Sequence, residues 1–228
     1  MKVIYDPDST SFISALDTMY PTASRMHTEN VKNDGMSYSA TYGYCINGSA
    51  VVVDDNGEWN VSAGRYFVFS GQISIKKATD LQMWTVMKVG FKPMTQVGAV
   101  ESKGRLSYID GCSDSVLVSM PRYGDPVLNY LHFPTGIYQT QHTHPSIRMG
   151  LVIKGSGEAF MEKSNNSEGW VKPLQTGCMF MLEEQELHSF RTTDDIMDII
   201  AFHPDSDTGP TDENHSMINR THIDHGKK

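Results

Sequence analysis

No stretch of this 228-residue chain approaches the roughly 18 consecutive apolar residues that a membrane-spanning helix requires. The opening segment MKVIYDPDSTSF has no apolar core of the kind a secretory signal needs. Lysine and arginine form no cluster and the net charge is −8, which argues against a nucleic-acid partner. A CxxC pair is also missing: Cys45, Cys112 and Cys178 are odd in number and far apart. That spacing suits a reducing compartment and not a disulfide framework, so a cytoplasmic protein is expected. What remains is a globular composition, 39% hydrophobic and 20% charged, long enough for one large domain or two small ones.

Short β-prone runs separated by Gly, Asn, Asp and Pro fill residues 36–204. Among them are Ala50–Val53, Arg65–Phe69, Gln72–Ile75, Trp84–Val89, Ser115–Ser119, Gly150–Ile153, Met179–Leu182 and Asp198–Phe202. One early helix is expected over Ser9–Met19, capped by Ser9, Thr10 or Ser11, with Phe12, Ile13, Leu16 and Met19 apolar and Pro21 stopping it. Many short strands at this spacing predict an all-β sandwich or barrel.

Two stretches repeat one another. The first has Ile46-Asn-Gly48-Ser, then Trp59, then Gly64-Arg-Tyr-Phe-Val-Phe69; the second has Ile153-Lys-Gly155-Ser, then Trp170, then Gly177-Cys-Met-Phe-Met-Leu182. Each reads as turn, strand, hairpin loop, Trp-led strand, glycine turn, strand. A duplicated unit follows.

Only the second copy carries His142-Thr-His144 and, behind Gly177, His188. On a strand, side chains alternate, so His142 and His144 share a face. With an imidazole from a neighbouring strand they make a three-nitrogen metal site with open positions. In the first copy the equivalent positions are Gly35, Ser37 and Ile75, so that copy cannot hold the same site, and burying the second barrel or mediating assembly is its expected work.

The run Gly136-Ile-Tyr-Gln-Thr-Gln-His142-Thr-His144-Pro-Ser-Ile-Arg148-Met-Gly150-Leu-Val-Ile-Lys-Gly155 resembles the first motif of the cupin superfamily: Gly, five residues, HxH, three or four residues, Glu, six residues, Gly. Every spacing is met, but Arg148 stands at the Glu position. The second cupin motif fits through Gly177 and His188, with Glu183, Gln185 and Thr192 replacing its Pro, Gly and Asn. The resemblance implies a bicupin, two antiparallel double-stranded β-helix (jelly-roll) barrels with a short N-terminal helix. The expected division is an arm and helix over 1–35, a degenerate N-terminal cupin over 36–100, a connection over 101–125, a metal-binding cupin over 126–204 and a polar tail over 205–228.

Arg148 cannot ligate a metal, because a guanidinium stays protonated. Pointing inward, it would leave three neutral histidines around the ion and favour an anionic ligand held bidentately; alternatively it closes the barrel mouth against Glu183, Glu184 or Glu186, or one of those glutamates replaces the missing ligand. Gly150, on the inward face, would leave room for a ligand. Alternation also puts Tyr138 on that face, as a proton-transfer candidate or a packing residue, and turns Gln139 and Gln141 away. Cys112 has no evident partner base and reads as part of a turn between repeats. One divalent metal on His142, His144 and His188 is expected, iron(II) first, with zinc, manganese, nickel and copper open. The resemblance then implies a mononuclear iron oxygenase acting on a small anionic molecule, with Arg148 and Tyr138 as catalytic candidates. A metal-dependent lyase or isomerase and a non-catalytic small-molecule sensor are the alternatives. No membrane or nucleic-acid partner is expected, and tight packing of two cupin copies allows a homodimer.

Overall fold

The structure, a computed structural model, describes residues 1–119, 122, 124–164 and 168–205; the polar tail expected over 205–228 lies outside them beyond Asp205. Each expected strand has an observed counterpart, with Gln72 and Ser119 falling one residue outside Ile73–Lys77 and Ser113–Val118. Every strand pairing is antiparallel. No helix of the described residues is long and apolar enough to cross a membrane.

The strands build two barrels. In the first, one sheet runs Gln96–Ala99, Arg65–Ser70, Ser39–Asn47, Gln82–Val89, Thr22–His27, Phe12–Ala15, and faces a second sheet of Val31–Asp34, Ile73–Lys77, Ser49–Asp54 and Gly57–Ser62. In the second, Met179–Leu182, Arg148–Met161, Met197–His203, Val127–Phe133 and Ser113–Val118 lie side by side. Trp170–Gln175 and Ser189–Arg191 pair with the far half of Arg148–Met161. The edge strand of this second barrel comes from the other end of the chain: Lys2–Ile4 pairs with Met179–Leu182.

Alternation along the strands feeds three cores. Met83 points into the first barrel with Phe67, Phe69 and Ile75. Its neighbours Trp84 and Val86 point the other way, into a layer shared with Leu128, Tyr130, Met149 and Ile200 of the second barrel. The barrels are therefore joined by a continuous apolar core. Trp84 has its one polar atom satisfied there, Nε1 donating to Ser24 Oγ at 2.8 Å. The third core, with Phe133, Phe180, Phe190 and Ile199, fills the second barrel beneath the histidines.

The expected helix over Ser9–Met19 does not form. Asp8 Oδ1 accepts from Thr10 N–H in a tight turn, and Phe12–Ala15 then forms a hairpin with Thr22–His27. Burial here has period two, with Ile13 and Ala15 inward and Phe12 and Ser14 outward. The apolar spacing suited a helix, but an adjacent strand could satisfy this backbone directly, and Pro21 sits in the loop between the two.

The internal repeat is a repeat of backbone geometry. Gly48 and Gly155 adopt φ of +72° and +73°, and a Cβ on either would lie 1.7 Å from Asp80 O or 1.8 Å from Ile196 O. Gly43 and Gly150 correspond likewise, each covered by an aromatic ring, Phe67 or Phe180. The space beside Gly150 thus belongs to Phe180, which corrects the reading that it is kept for a ligand. Replacing either turn glycine by alanine combines a left-handed backbone with a backbone clash, so Gly48→Ala and Gly155→Ala should each cost about 2–4 kcal/mol. Urea denaturation measures this, and a neutral result at either position would remove the equivalence of the two turns.

Candidate metal centre

His142 is held by two hydrogen bonds to the opposite backbone: His142 N–H donates to His188 O at 2.9 Å and His188 N–H to His142 O at 3.0 Å. This hydrogen-bonded antiparallel pair sets the two side chains on one face. His144 follows two residues later, its carbonyl accepting from Gln185 N–H at 2.8 Å. Gln185 turns the chain at φ +55°, the left-handed position that the cupin pattern fills with glycine. Thr192, at the pattern's Asn, ties down the approach to the site: its Oγ1 accepts from Ile137 N–H at 3.0 Å and donates to Pro134 O.

The three imidazoles come together. Ring centroids are 4.5 Å apart for His142–His188, 5.0 Å for His142–His144 and 5.1 Å for His144–His188, and one ligand atom from each lies within 4.8 Å of the others. Carbonyls fix two of the tautomers. His142 Nδ1 lies 2.9 Å from Thr140 O and His188 Nδ1 lies 2.8 Å from Glu186 O. A carbonyl only accepts, so each Nδ1 carries the proton and each Nε2 keeps its lone pair. His188 Nε2 is buried with no hydrogen-bond partner among the described residues. Burial first, then the Arg148 guanidinium and the neighbouring rings, hold His144 well below the ordinary imidazole range. His188 is lowered too, by burial and then by His142. Neutral, tautomer-fixed imidazoles around an unsatisfied buried nitrogen fit a divalent cation.

Arg148 is inward and buried at 3% exposure, on the wall of the same cavity. Its Nη1 donates to Ser146 O, Ser146 Oγ and Ile147 O at 2.6–3.0 Å, and Ser146 Oγ in turn donates to Asp205. The nearby glutamates are engaged elsewhere: Glu186 accepts from the Met1 ammonium and from Glu183 N–H, and Glu183 pairs with Lys2 at 3.5 Å. Among the described residues no carboxylate joins the three-histidine cluster.

Two neighbours fall opposite to their expected sides. Between the Tyr138–Arg191 and His142–His188 bridges the first strand takes four steps and its partner three. That extra residue is a bulge, and it reverses the alternation upstream of His142. Tyr138 is therefore 55% exposed, its hydroxyl donating to Glu162 at 2.8 Å, and it stands outside the cavity. Gln139, expected outside, lines it. Gln141 does face away, bonded to Glu162. Cys112 is buried and its thiol pushed up to about 12, beyond use as a nucleophile at neutral pH.

The cavity encloses about 30 Å³. Pockets for drug-sized ligands run to about 300–1,000 Å³, so this one suits a ligand of a few non-hydrogen atoms. His203, Asp114 and Asn129 also line it, none of them marked by motif spacing. The His203 ring lies tilted against that of His144, centroids 6.4 Å apart.

Two fused antiparallel barrels, with three imidazoles and a buried guanidinium at the mouth of one, define a class of metal-binding β-barrel proteins. No family model and no curated protein matches the chain by sequence. Solved structures match it by fold. A cupin 2 conserved barrel domain protein from Leptotrichia buccalis superposes with TM-score 0.56 at 16% identity, over 88% of this chain and 95% of that one. Oxalate decarboxylase from Bacillus subtilis, described with Mn(II) centres, gives TM-score 0.58 at 13% identity over 85% and 72%. Salicylate 1,2-dioxygenase from Pseudoaminobacter salicylatoxidans gives 0.58 at 11% identity over 80% and 68%. The chain has the bicupin fold.

Proposed function

We propose that this chain is a metal-dependent enzyme acting on a compact anionic substrate, and that it is a mononuclear iron(II) oxygenase. The observation that carries this reading is the buried cluster of His142, His144 and His188, joined by no carboxylate among the described residues, beside the buried Arg148 guanidinium. Three imidazoles would hold one divalent ion and leave positions open for ligands. Such an ion supplies Lewis acidity and, as iron, activation of dioxygen. The protein's own part is binding and positioning. Arg148 offers planar N–H donors to a carboxylate, and its charge is kept in place by the carbonyls of Ser146 and Ile147. Thr140 O and Glu186 O hold the rings of His142 and His188 in one orientation. Leu131, Phe133, Phe180, Leu182 and Ile199 add an apolar stretch of wall that limits the water that can enter. The cysteines are all free and buried, which suits a cytoplasmic protein.

A non-oxidative reading is supported by the likeness to oxalate decarboxylase with its Mn(II) centres. Elemental analysis of the purified protein, joined to oxygen-electrode assays on small carboxylates, separates the two. Iron with oxygen uptake is the expected result; manganese or zinc with turnover and no oxygen uptake transfers the site to lyase or isomerase chemistry. A protein that takes up no divalent metal at all ends both.

A further inference from the structure

The cavity has a second polar wall, built mostly from strands other than those that carry the histidines. Asp114 lies on Ser113–Val118, Asn129 on Val127–Phe133 and Gln139 on the segment leading to His142. None of the three is more than 2% exposed. Asn129 Nδ2 donates to Asp114 Oδ2 at 2.9 Å, and Gln139 Nε2 reaches Cys112 Sγ at 3.9 Å. Three oxygens are left over: Asp114 Oδ1, Asn129 Oδ1 and Gln139 Oε1 have no hydrogen-bond partner among the described residues. A core seldom keeps such groups, because each has given up water and received nothing in return. Three lining one small cavity mark a place where a ligand supplies the missing donors.

We propose that Asp114, Asn129 and Gln139 are the second anchoring point of the substrate, accepting hydrogen bonds from a hydroxyl or amine on a compact carboxylate whose acid group lies at Arg148. The inference rests on the reading of this cavity as an anion site and narrows it to hydroxy or amino acids of a few carbons. The chemistry of the leftover atoms sets the class: oxygens that accept select a donor, whereas a methyl group or a second carboxylate would leave them unpaired. Burial pushes the Asp114 carboxyl up to about 7, against the pull of its bonds to Asn129 and Ser115 N–H. As the carboxylate it accepts from a hydroxyl or an ammonium alike. Asn129 and Gln139 serve either form without a change of charge.

Isothermal titration of the full chain loaded with Mn(II) tests this with five probes: acetate, glycolate, glycine, propanoate and 3-hydroxypropanoate. At least one donor-bearing acid should bind about tenfold or more tightly than its parent, the gain from one or two hydrogen bonds to buried acceptors. The paired exchange Asp114→Leu/Asn129→Leu removes both members of a buried pair, so it should melt no lower than the wild type. In it the parent acids should keep their affinity and the preference should fall to about onefold. Gln139→Met gives the same readout if the paired exchange disturbs packing. A wild type that binds acetate and propanoate as tightly as their hydroxy and amino derivatives overturns the inference and leaves the anion reading standing. So does a preference that survives in both variants. Binding of none of the five overturns the anion reading, and this inference with it.

Discussion

His144→Ala should leave the purified protein without its metal while the wild type holds about one equivalent. Removing a hydrogen-bond partner behind a ligand commonly costs 10–100-fold in metal affinity, so deleting one of three ligands should cost about 100-fold or more. No carboxylate among the described residues stands ready to substitute. His188→Ala should behave alike, since its Nε2 is a buried ring nitrogen without a hydrogen-bond partner among the described residues. Stability offers an independent check. A metal at a hundred times its dissociation constant adds about 2.7 kcal/mol, so a chelator should lower the melting temperature of the wild type and leave that of either variant unchanged. The pH dependence has a definite sign. His144 and His188 are lowered from the ordinary range, so they stay neutral as pH falls through about 6.5, where free imidazoles take up protons. Metal should therefore be retained into mildly acidic buffer. In the chelated protein, by contrast, the unfolded chain binds these protons first, and stability should decline as pH drops below about 6.5. Metal retained at full stoichiometry by both alanine variants would show that the ion sits elsewhere.

The features legible in the sequence were those with a fixed backbone requirement. Gly48 and Gly155 mark equivalent left-handed turns because a side chain on either would strike a carbonyl, and the same order of Trp and glycine turn after each, Trp59 and Gly64, Trp170 and Gly177, reveals the duplication. His142 and His144 were legible for a related reason, since alternation beyond the bulge is regular. Upstream of it the same rule misplaced Tyr138 and Gln139, because one inserted residue reverses every side chain and leaves no mark in composition. Residues 9–19 failed differently. Phe12, Ile13, Leu16 and Met19 satisfy a helical spacing, and only the partner strand Thr22–His27 decides against it. Asp114 and Asn129 were invisible as site residues, since their meeting depends on the pairing of Ser113–Val118 with Val127–Phe133. The entry of Lys2–Ile4 into the distant barrel is a long-range pairing of the same sort.

Arg148 separates the two ways this pocket can be charged. Arg148→Met keeps most of the volume and removes the guanidinium, so a carboxylate probe should bind about 30-fold or more weakly, in line with the 2–5 kcal/mol cost of truncating one side of a buried charged contact. Metal affinity should rise slightly in the same variant, because a cation beside the three imidazoles has gone. Arg148→Glu should carry both effects further. It restores the residue of the cupin pattern, replaces a positive charge by a negative one at the cavity wall, and should tighten metal binding by about tenfold or more. The same protein should no longer bind the anionic probe, since its carboxylate would repel it and, with the metal, occupy a position otherwise open. Competition titrations with a chromophoric chelator measure the first quantity and calorimetry the second. Opposite movement of the two affinities is the decisive sign. Were Arg148→Met to bind the probe as the wild type does, the bonds from Nη1 to Ser146 and Ile147 would be the whole of its role, a brace for the start of the strand Arg148–Met161. The three histidines would then face a substrate chosen by shape, with no selection for charge.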